Sequence, residues 1–354
     1  MGEKILYGKL RDGRKVSLYR LKNRSGAEVE VLDFGAVIRA VRVPDRDGKL
    51  VDVVMGYDTL EDQLSALGWN CGVMGRVANR IGGGRLWING RLHQLPLPEW
   101  GGKKAPFVIH GGAGCYAMKL FSGRLHEDEE GDKVTLYHRD RGEGGFPGEV
   151  DVWVTYILTP DNEFILRYRC LPTEDTIINI TSHVYMNLNG HGNGTIHNHI
   201  VRMDADFFTP VAPGGLPTGE VLRVDGTPFD FRGTKKLGEG LDSGSGQIAI
   251  QNGYDHNLCL SGTGYRECGW VYSDLTGIRL TLRTDMPGVQ LYCSCNERDT
   301  EGAKEGRKYS RFGAFCLETQ YFPDATAYPH FPQPVTPANT VYQSQTGFRF
   351  SITP

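Results

Sequence analysis

Short runs rich in β-branched and aromatic residues recur along the whole chain, each closed by glycine, proline, asparagine or aspartate. This recurrence limits the fold more than any other feature. Residues 29–43, 50–57, 133–138, 151–158, 163–171, 176–188, 277–283, 288–296 and 347–353 all have this composition. Asn89-Gly90 separates "RLWI" from "RLHQLP" and supplies the positive φ that a two-residue hairpin turn needs. "TPDN" at 159–162 joins two further strands. A helix is signalled over 58–68, "DTLEDQLSALG", with Asp58 and Glu61 spaced as a capping box and Gly68 as its stop. The glycine-rich stretch 233–253 reads as a long loop, since strand signals resume on both sides. Many short strands with turn punctuation predict an all-β fold. We expect one large antiparallel β-sandwich domain over residues 1–354, with few short helices.

Charge narrows the range of partners. Lys plus Arg is 39 against Asp plus Glu 42, a net charge of −3. That balance leaves no basic footprint for nucleic acid and no basic stripe for a membrane surface. No apolar run reaches membrane-spanning length. The start, "MGEKILYGKLRDGRKV", has charges spread through it, and Leu6 stands where a myristoylation signal needs Ser or Thr. The eight cysteines form no CxxC pair, and several lie inside strand-like runs, where free thiols serve as small hydrophobes. A cytoplasmic protein is expected.

One strand poses a chemical question. In "FGAFCLETQYFPDA", residues 312–325, the period of two puts Phe312, Ala314, Cys316, Glu318 and Gln320 on one face. Phe315, Leu317, Thr319 and Tyr321 fall on the other. Both faces are mostly apolar, so the Glu318 carboxylate must be paired, wet or shifted in pKa. Two other runs carry unusual polar faces. "TIINITSHVYMNL" alternates Asn179, Thr181, His183, Tyr185 and Asn187 against aliphatic residues, and "GVQLYCSCN" alternates Gln290, Tyr292, Ser294 and Asn296. Amides, hydroxyls, a phenol and an imidazole suit a neutral polyhydroxylated ligand better than a solvated sheet face, which is usually rich in Lys and Glu. His110 precedes Gly111-Gly112, Asn79 and Arg80 lie beside a triple glycine, and Asp255 opens an apolar strand. A metal set would draw on His191 and the HxH pair His197 and His199, but no carboxylate follows at close strand spacing. "RIGGGRLW" lacks the phosphate-loop pattern and opens a hairpin. No metal and no cofactor are expected.

Eight pieces taken in order, "GRVANRI", "HGG", "GEGGFPG", "NITSHVYMNLNGHG", "TPVAPGGLPTGE", "YDHN", "PGVQLY" and "CLETQYFPDA", resemble the aldose 1-epimerase (galactose mutarotase) family over nearly the whole chain. The resemblance implies a large β-sandwich and a monosaccharide substrate, a free hexose such as galactose or glucose, with no cofactor. It implies that Glu318 is the general base, His183 the general acid and His110 a second active-site histidine. It further implies that Asn79, Arg80, Asp255 and Gln290 bind sugar hydroxyls. Exchange of anomers needs a base for the C1-hydroxyl proton and an acid for the ring oxygen. A protonated His183 beside an anionic Glu318 is the expected starting pair. Met186 stands where the family usually has Phe, and "GCYAMKLF" and "CSCN" also depart from its pattern. These departures leave the acid–base pair intact and bear on sugar orientation. Two other readings are open. A sugar-phosphate epimerase would need a further cation, with Arg76 or Arg85 as candidates, whereas a non-catalytic sugar-binding module would need no acid–base pair.

Overall fold

The protein is described by a computed structural model covering residues 2–65, 71–297, 300 and 302–353. Its largest sheet has nine antiparallel strands. They run in the order Ser122–Asp128, Gly131–Asp140, Val150–Leu158, Glu163–Pro172, Tyr342–Ile352, Ile278–Thr284, Arg266–Tyr272, Ile200–Met203 and Lys235–Lys236. A five-stranded sheet carries the amino-terminal strands Glu3–Lys9, Lys15–Lys22, Glu28–Leu32, Ile38–Pro44 and Leu50–Asp52. A second five-stranded sheet is ordered Leu222–Arg223, Ala205–Thr209, Asp255–Leu260, Gly288–Tyr292 and Cys316–Gln320. Side chains from all three sheets, among them Leu18, Val152 and Leu291, meet in one hydrophobic cluster. This is the expected β-sandwich, in which the apolar face of each sheet is hidden by another layer.

The local signals hold where turn chemistry dictates them. Arg85–Ile88 pairs with Arg91–Gln94 across Asn89 and Gly90, whose φ values are 48° and 77°. Val150–Leu158 and Glu163–Pro172 pair across 159–162. The helix forms as Leu60–Ser65, but its cap is Thr59 rather than Asp58. The Thr59 hydroxyl accepts from Asp62 N–H at 3.1 Å, while Asp58 is drawn away by the Arg39 guanidinium at 2.8 Å. The proposed stop at Gly68 lies outside the described residues. Two short helices, Leu237–Leu241 and Gly246–Gln251, occupy the stretch expected to be a long loop.

The run 176–188 differs most from expectation. Only Thr176–Ile177 and Thr181–Ser182 pair as strands, with Val335–Thr336 and Val73–Met74 respectively. Every residue from 176 to 188 is buried, because the segment threads the interior and bonds a new neighbour every few residues. Ile178 N donates to Pro334 O, Asn179 N to Arg76 O, His183 N to Gly72 O and Met186 N to Phe315 O. Its polar residues face other protein groups or an internal cavity, not bulk water. The run 288–296 also ends early, at Tyr292. Ser294 has a φ of 44°, and its hydroxyl donates to Ala314 O and accepts from Ala314 N–H.

Arg76 illustrates how polar side chains hold this interior together. It is 1% exposed. Its Nε donates to Asp140 Oδ2 at 2.8 Å, and its Nη atoms donate to Pro147 O, Thr176 Oγ1 and Gly148 O. Tyr116 Oη donates to the same Asp140 oxygen at 2.8 Å. Removing one partner of a buried ion pair strands the other charge, at a cost of about 3–5 kcal/mol. Arg76→Ala is therefore expected to lower unfolding free energy by about that amount. Denaturant unfolding of the two proteins checks this, and equal midpoints would show that Asp140 needs no counter-charge.

Candidate active site

The site is laid out by strand register. Asp255–Leu260, Gly288–Tyr292 and Cys316–Gln320 lie side by side, with Asp255 opposite Tyr292 and Tyr292 opposite Cys316. One step along the same face, Asn257 is opposite Gln290 and Gln290 opposite Glu318. Directly opposed residues share a sheet face. The three strands therefore present a grid of polar side chains and a thiol on one face, while Leu258, Leu291 and Leu317 enter the core on the other. The threaded segment carries His183 and Tyr185 over this grid. The hairpin-like pair Arg80–Gly82 and Phe107–Ile109 carries Asn79, Arg80 and His110. These elements enclose a cavity of about 410 Å³ lined by Asn79, Arg80, Phe107, His110, His183, Tyr185, Asp255, Tyr292 and Glu318, with Trp100, Ile109, Asn296 and Glu297 also on its wall.

Glu318 is 2% exposed. Its Oε1 lies 3.6 Å from His183 Nε2, and its Oε2 has no protein hydrogen-bond partner. Burial pushes its pKa well above the usual carboxylate range, the negative Asp255 adds to this, and Arg80 opposes it. Burial acts on His183 in the opposite sense and lowers its pKa to about 4, against a smaller upward pull from Asp255. Both groups are thus driven toward their neutral forms, and the expected pairing of imidazolium with carboxylate is reversed in this buried cavity. The cause is desolvation, which the sequence pattern does not register.

The remaining groups are fixed by mutual bonds. His110 has a φ of 51°, and its Nδ1 accepts the Asn79 N–H at 3.1 Å. Burial holds its pKa well below 6.5, helped by the nearby His183 and Arg80. A neutral imidazole that accepts at Nδ1 carries its proton on Nε2, so His110 is a donor there. Its ring meets His183 edge to face at 5.3 Å. Gly111, at φ 85°, lies so close to the chain that a Cβ would fall 1.9 Å from Gly75 O. Asp255 Oδ2 accepts from Arg80 Nη2 at 3.2 Å and Oδ1 from Gln290 Nε2 at 2.7 Å. The Gln251 amide, oriented by its surroundings, donates to Asp255 Oδ2 at 3.3 Å and accepts from Gly215 N–H at 3.2 Å. Burial works to raise the Asp255 pKa, but the Arg80 charge and the Gln290 bond outweigh it, and the pKa is lowered. A fixed anion therefore sits in the cavity beside the neutral pair. The Arg80 guanidinium lies over the Phe107 ring at 5.4 Å, and Trp100 meets that ring edge-on at 5.2 Å.

Of the residues singled out from the sequence, Asn79, Arg80, His110, His183, Asp255 and Glu318 line one cavity. Gln290 stands behind Asp255 and holds it instead of lining the wall. Asn179 and Asn187 belong to the fold: the first bonds the backbone of Tyr321, the second Gly313 O and Gly194 O. Arg76 is consumed by Asp140. His191, His197 and His199 do not converge. His191 bonds Tyr309, His197 bonds Thr195, and His199 accepts from Leu188 N–H. Among the described residues, the group close enough to hold an ion is His110, His183 and Glu318, with ligand atoms within 4.8 Å of one another. An ion there would occupy the same imidazole and carboxylate atoms that acid–base chemistry uses, so the two uses exclude each other.

The sequence profile of the aldose 1-epimerase family matches residues 17–349. The chain belongs to the aldose 1-epimerase family. It is 37% identical over 325 residues to galactose mutarotase from Bos taurus, covering 92% of this chain and 91% of that one. It is 32% identical over 346 residues to aldose 1-epimerase from Haemophilus influenzae, covering 96% and 97%. The crystal structure of galactose 1-epimerase from Lactobacillus acidophilus superposes with a TM-score of 0.88 at 26% identity, covering 100% of this chain and 99% of that one. In this member of the aldose 1-epimerase family, Met186, Tyr116 and Cys295, which belong to the departures noted in the sequence, do not line the cavity, whereas Asn296 of "CSCN" does. Met186 bridges Val54 and Phe315 in the core, and Tyr116 serves Asp140. Cys295 is buried, with its thiol donating to Gln251 O.

The support of Asp255 by Gln290 gives a test. Hydrogen bonds to charged groups are worth about 1.5–3 kcal/mol. Gln290→Ala is expected to weaken hexose affinity roughly 10-fold, since each 1.4 kcal/mol is one decade, and to leave the fold intact. Calorimetric titration with the sugar measures it. Unchanged affinity would mean that Asp255 is held by Arg80 and Gln251 alone.

Proposed function

We propose that this protein is an aldose 1-epimerase (mutarotase), which interconverts the α and β anomers of a free hexose such as galactose or glucose by opening and reclosing the hemiacetal ring. Family membership supports the reaction class. The single observation that carries the site assignment is the buried Glu318–His183 pair at 3.6 Å, with one carboxylate oxygen left without a protein partner inside a polar cavity. A buried acceptor left unmade costs about 1–3 kcal/mol, and a ligand hydroxyl would satisfy it.

In the proposed mechanism, Glu318 takes the C1-hydroxyl proton while His183 gives a proton to the ring oxygen. The C1–C2 bond then rotates, and the reverse transfers close the ring on the other face of the aldehyde. The pair holds one proton before and after. Ring opening turns carboxylate and imidazolium into carboxylic acid and imidazole, which is the neutral arrangement that burial favours. The resting neutral pair must first pass its proton from Glu318 to His183 across the 3.6 Å contact, and ring opening then restores the neutral arrangement. His110 serves as a neutral N–H donor to a sugar oxygen, and Asn79, Arg80 and Asp255 recognise hydroxyls, with Gln290 acting through Asp255. A sugar-phosphate substrate finds less support. Arg80 is the cation on the cavity wall and its charge is already paired with Asp255 through Nη2, while Arg85 is exposed on the hairpin. A cytosolic location goes with this reading and is supported by eight free cysteines. No helix among the described residues is long and apolar enough to cross a membrane.

A pH profile follows from the proton count. The pair is active with one proton, so kcat/KM falls in acid when His183 also becomes protonated, near its pKa of about 4. It falls again as pH rises through the raised pKa of Glu318, where the last proton is lost. A bell-shaped profile between these two limbs is expected, with the fold monitored by circular dichroism at each point. An acid limb centred near 6.5 would instead place an ordinary, solvated histidine in the rate law.

Glu318→Gln is expected to keep the fold and most hexose affinity while losing roughly 10²-fold or more in rate. His183→Asn should lose a comparable factor, and the two losses should not add, because both groups serve one transition. Polarimetry of freshly dissolved α-galactose and α-glucose, with and without EDTA, provides the readout. A folded Glu318→Gln protein that turns over at the wild-type rate would make the acid structural. Loss of wild-type activity in EDTA would favour an ion on His110, His183 and Glu318.

A further inference from the structure

We propose that Cys316 is a positioning residue for the reaction: its side chain holds Nδ1 of His183 so that Nε2 is presented to Glu318 and to the ring oxygen of the sugar. The inference rests on the mutarotase reading above but concerns a residue that reading leaves unused. Cys316 and Glu318 are two residues apart on the strand Cys316–Gln320 and so point to the same face. Both reach the same imidazole. Cys316 Sγ is 3.4 Å from His183 Nδ1, and Glu318 Oε1 is 3.6 Å from His183 Nε2. One strand therefore addresses both ring nitrogens.

The surrounding rings fix the plane of the imidazole and leave its proton position open. Tyr185 stacks on His183 with centroids 4.8 Å apart and planes at 19°, and Tyr292 and His110 meet it edge-on at 5.7 Å and 5.3 Å. None of these contacts distinguishes a proton on Nδ1 from one on Nε2. A hydrogen-bond partner at Nδ1 does. The thiol is fully buried, and burial pushes its pKa well above 9, so it remains S–H. The backbone carbonyl of His183 itself also draws a ring N–H; when His183 is neutral, the S–H opposes that pull by donating to Nδ1 and keeps the ring proton on Nε2. When His183 is protonated, the sulfur rotates its hydrogen away and accepts weakly from Nδ1–H. A thiol can serve both states of the cycle. A carboxylate at that place would only accept, would favour the imidazolium and would make the proton harder to release to the ring oxygen. A methyl group could do neither.

The test uses the full-length protein with Cys316 replaced by Ser, Ala and Val. Ser keeps a group that can donate or accept, whereas Ala and Val remove it with opposite changes in volume. We expect Ala and Val to lower kcat about 10-fold or more, a share of the contribution of a positioned acid, with KM changed less than twofold, and Ser to restore most of the rate. Nitrogen-15 NMR of the histidine rings reports the tautomer without reference to turnover. His183 should be the Nε2–H form in the wild type and Ser variant, and shift toward Nδ1–H in Ala and Val. If Ala and Val keep the wild-type kcat and tautomer, or if Ser, Ala and Val all lose rate in step with thermal stability and no tautomer change, the thiol is packing and the proposal fails. Should the wild type prove inactive on aldoses, the mutarotase reading fails, while the NMR measurement still decides the role of Cys316.

Discussion

Everything at this site depends on keeping a carboxyl group and an imidazole buried and adjacent. Water would give each its ordinary charge, and the pair would become a simple ion pair. In the cavity of this protein, burial moves the two pKa values apart, Glu318 upward and His183 downward. The rest of the architecture serves that separation. Tyr185, Tyr292 and Phe107 supply apolar wall, and on the sheet face beneath Gln290 is bonded to Asp255. The fixed anion, Asp255, is held in the same cavity by Arg80, Gln290 and Gln251.

The same economy governs the structural charges. Arg76 and Asp140 lie in the interior, yet every guanidinium nitrogen finds an acceptor, so the pair stiffens the backbone around 147–148 and 176. Those turns border the threaded segment that carries His183. Arg76, a candidate phosphate-binding cation in the sequence, is spent on holding the chain in place and adds no charge to the cavity.

Much of this was legible in the sequence, for identifiable reasons. Period-two alternation placed Glu318 and Cys316 on one face, and Asn89-Gly90 fixed a hairpin, because these features depend on local geometry. The resemblance to a family brought together His110, His183, Asp255 and Glu318, which no local rule could unite. Alternation read 176–188 as one strand with a ligand-facing polar side, whereas a segment buried on every side can place amides against backbone carbonyls as easily as against a ligand. The helices within 233–253 span five and six residues, too few turns for a helical period to register. Trp100, 48% exposed, reaches the cavity wall through packing on Phe107 in a small hairpin, and nothing in its neighbours along the chain announces that contact.

The distances in sequence between partners at the site carry a kinetic meaning. Cys316 and His183 are 133 residues apart, and Arg80 and Asp255 are 175 apart. Contacts of such separation form only after long loops have closed, which makes folding slow in sheets of this kind. Glu318 also belongs to an edge strand, Cys316–Gln320, whose register against Gly288–Tyr292 decides whether the carboxyl faces the cavity or the core. A chain with most of its strands in place but this edge undocked would have native-like secondary structure and no carboxyl group beside His183. Recovery of turnover during refolding would then time the arrival of the last strand, making the enzyme a clock for completion of its own sheet.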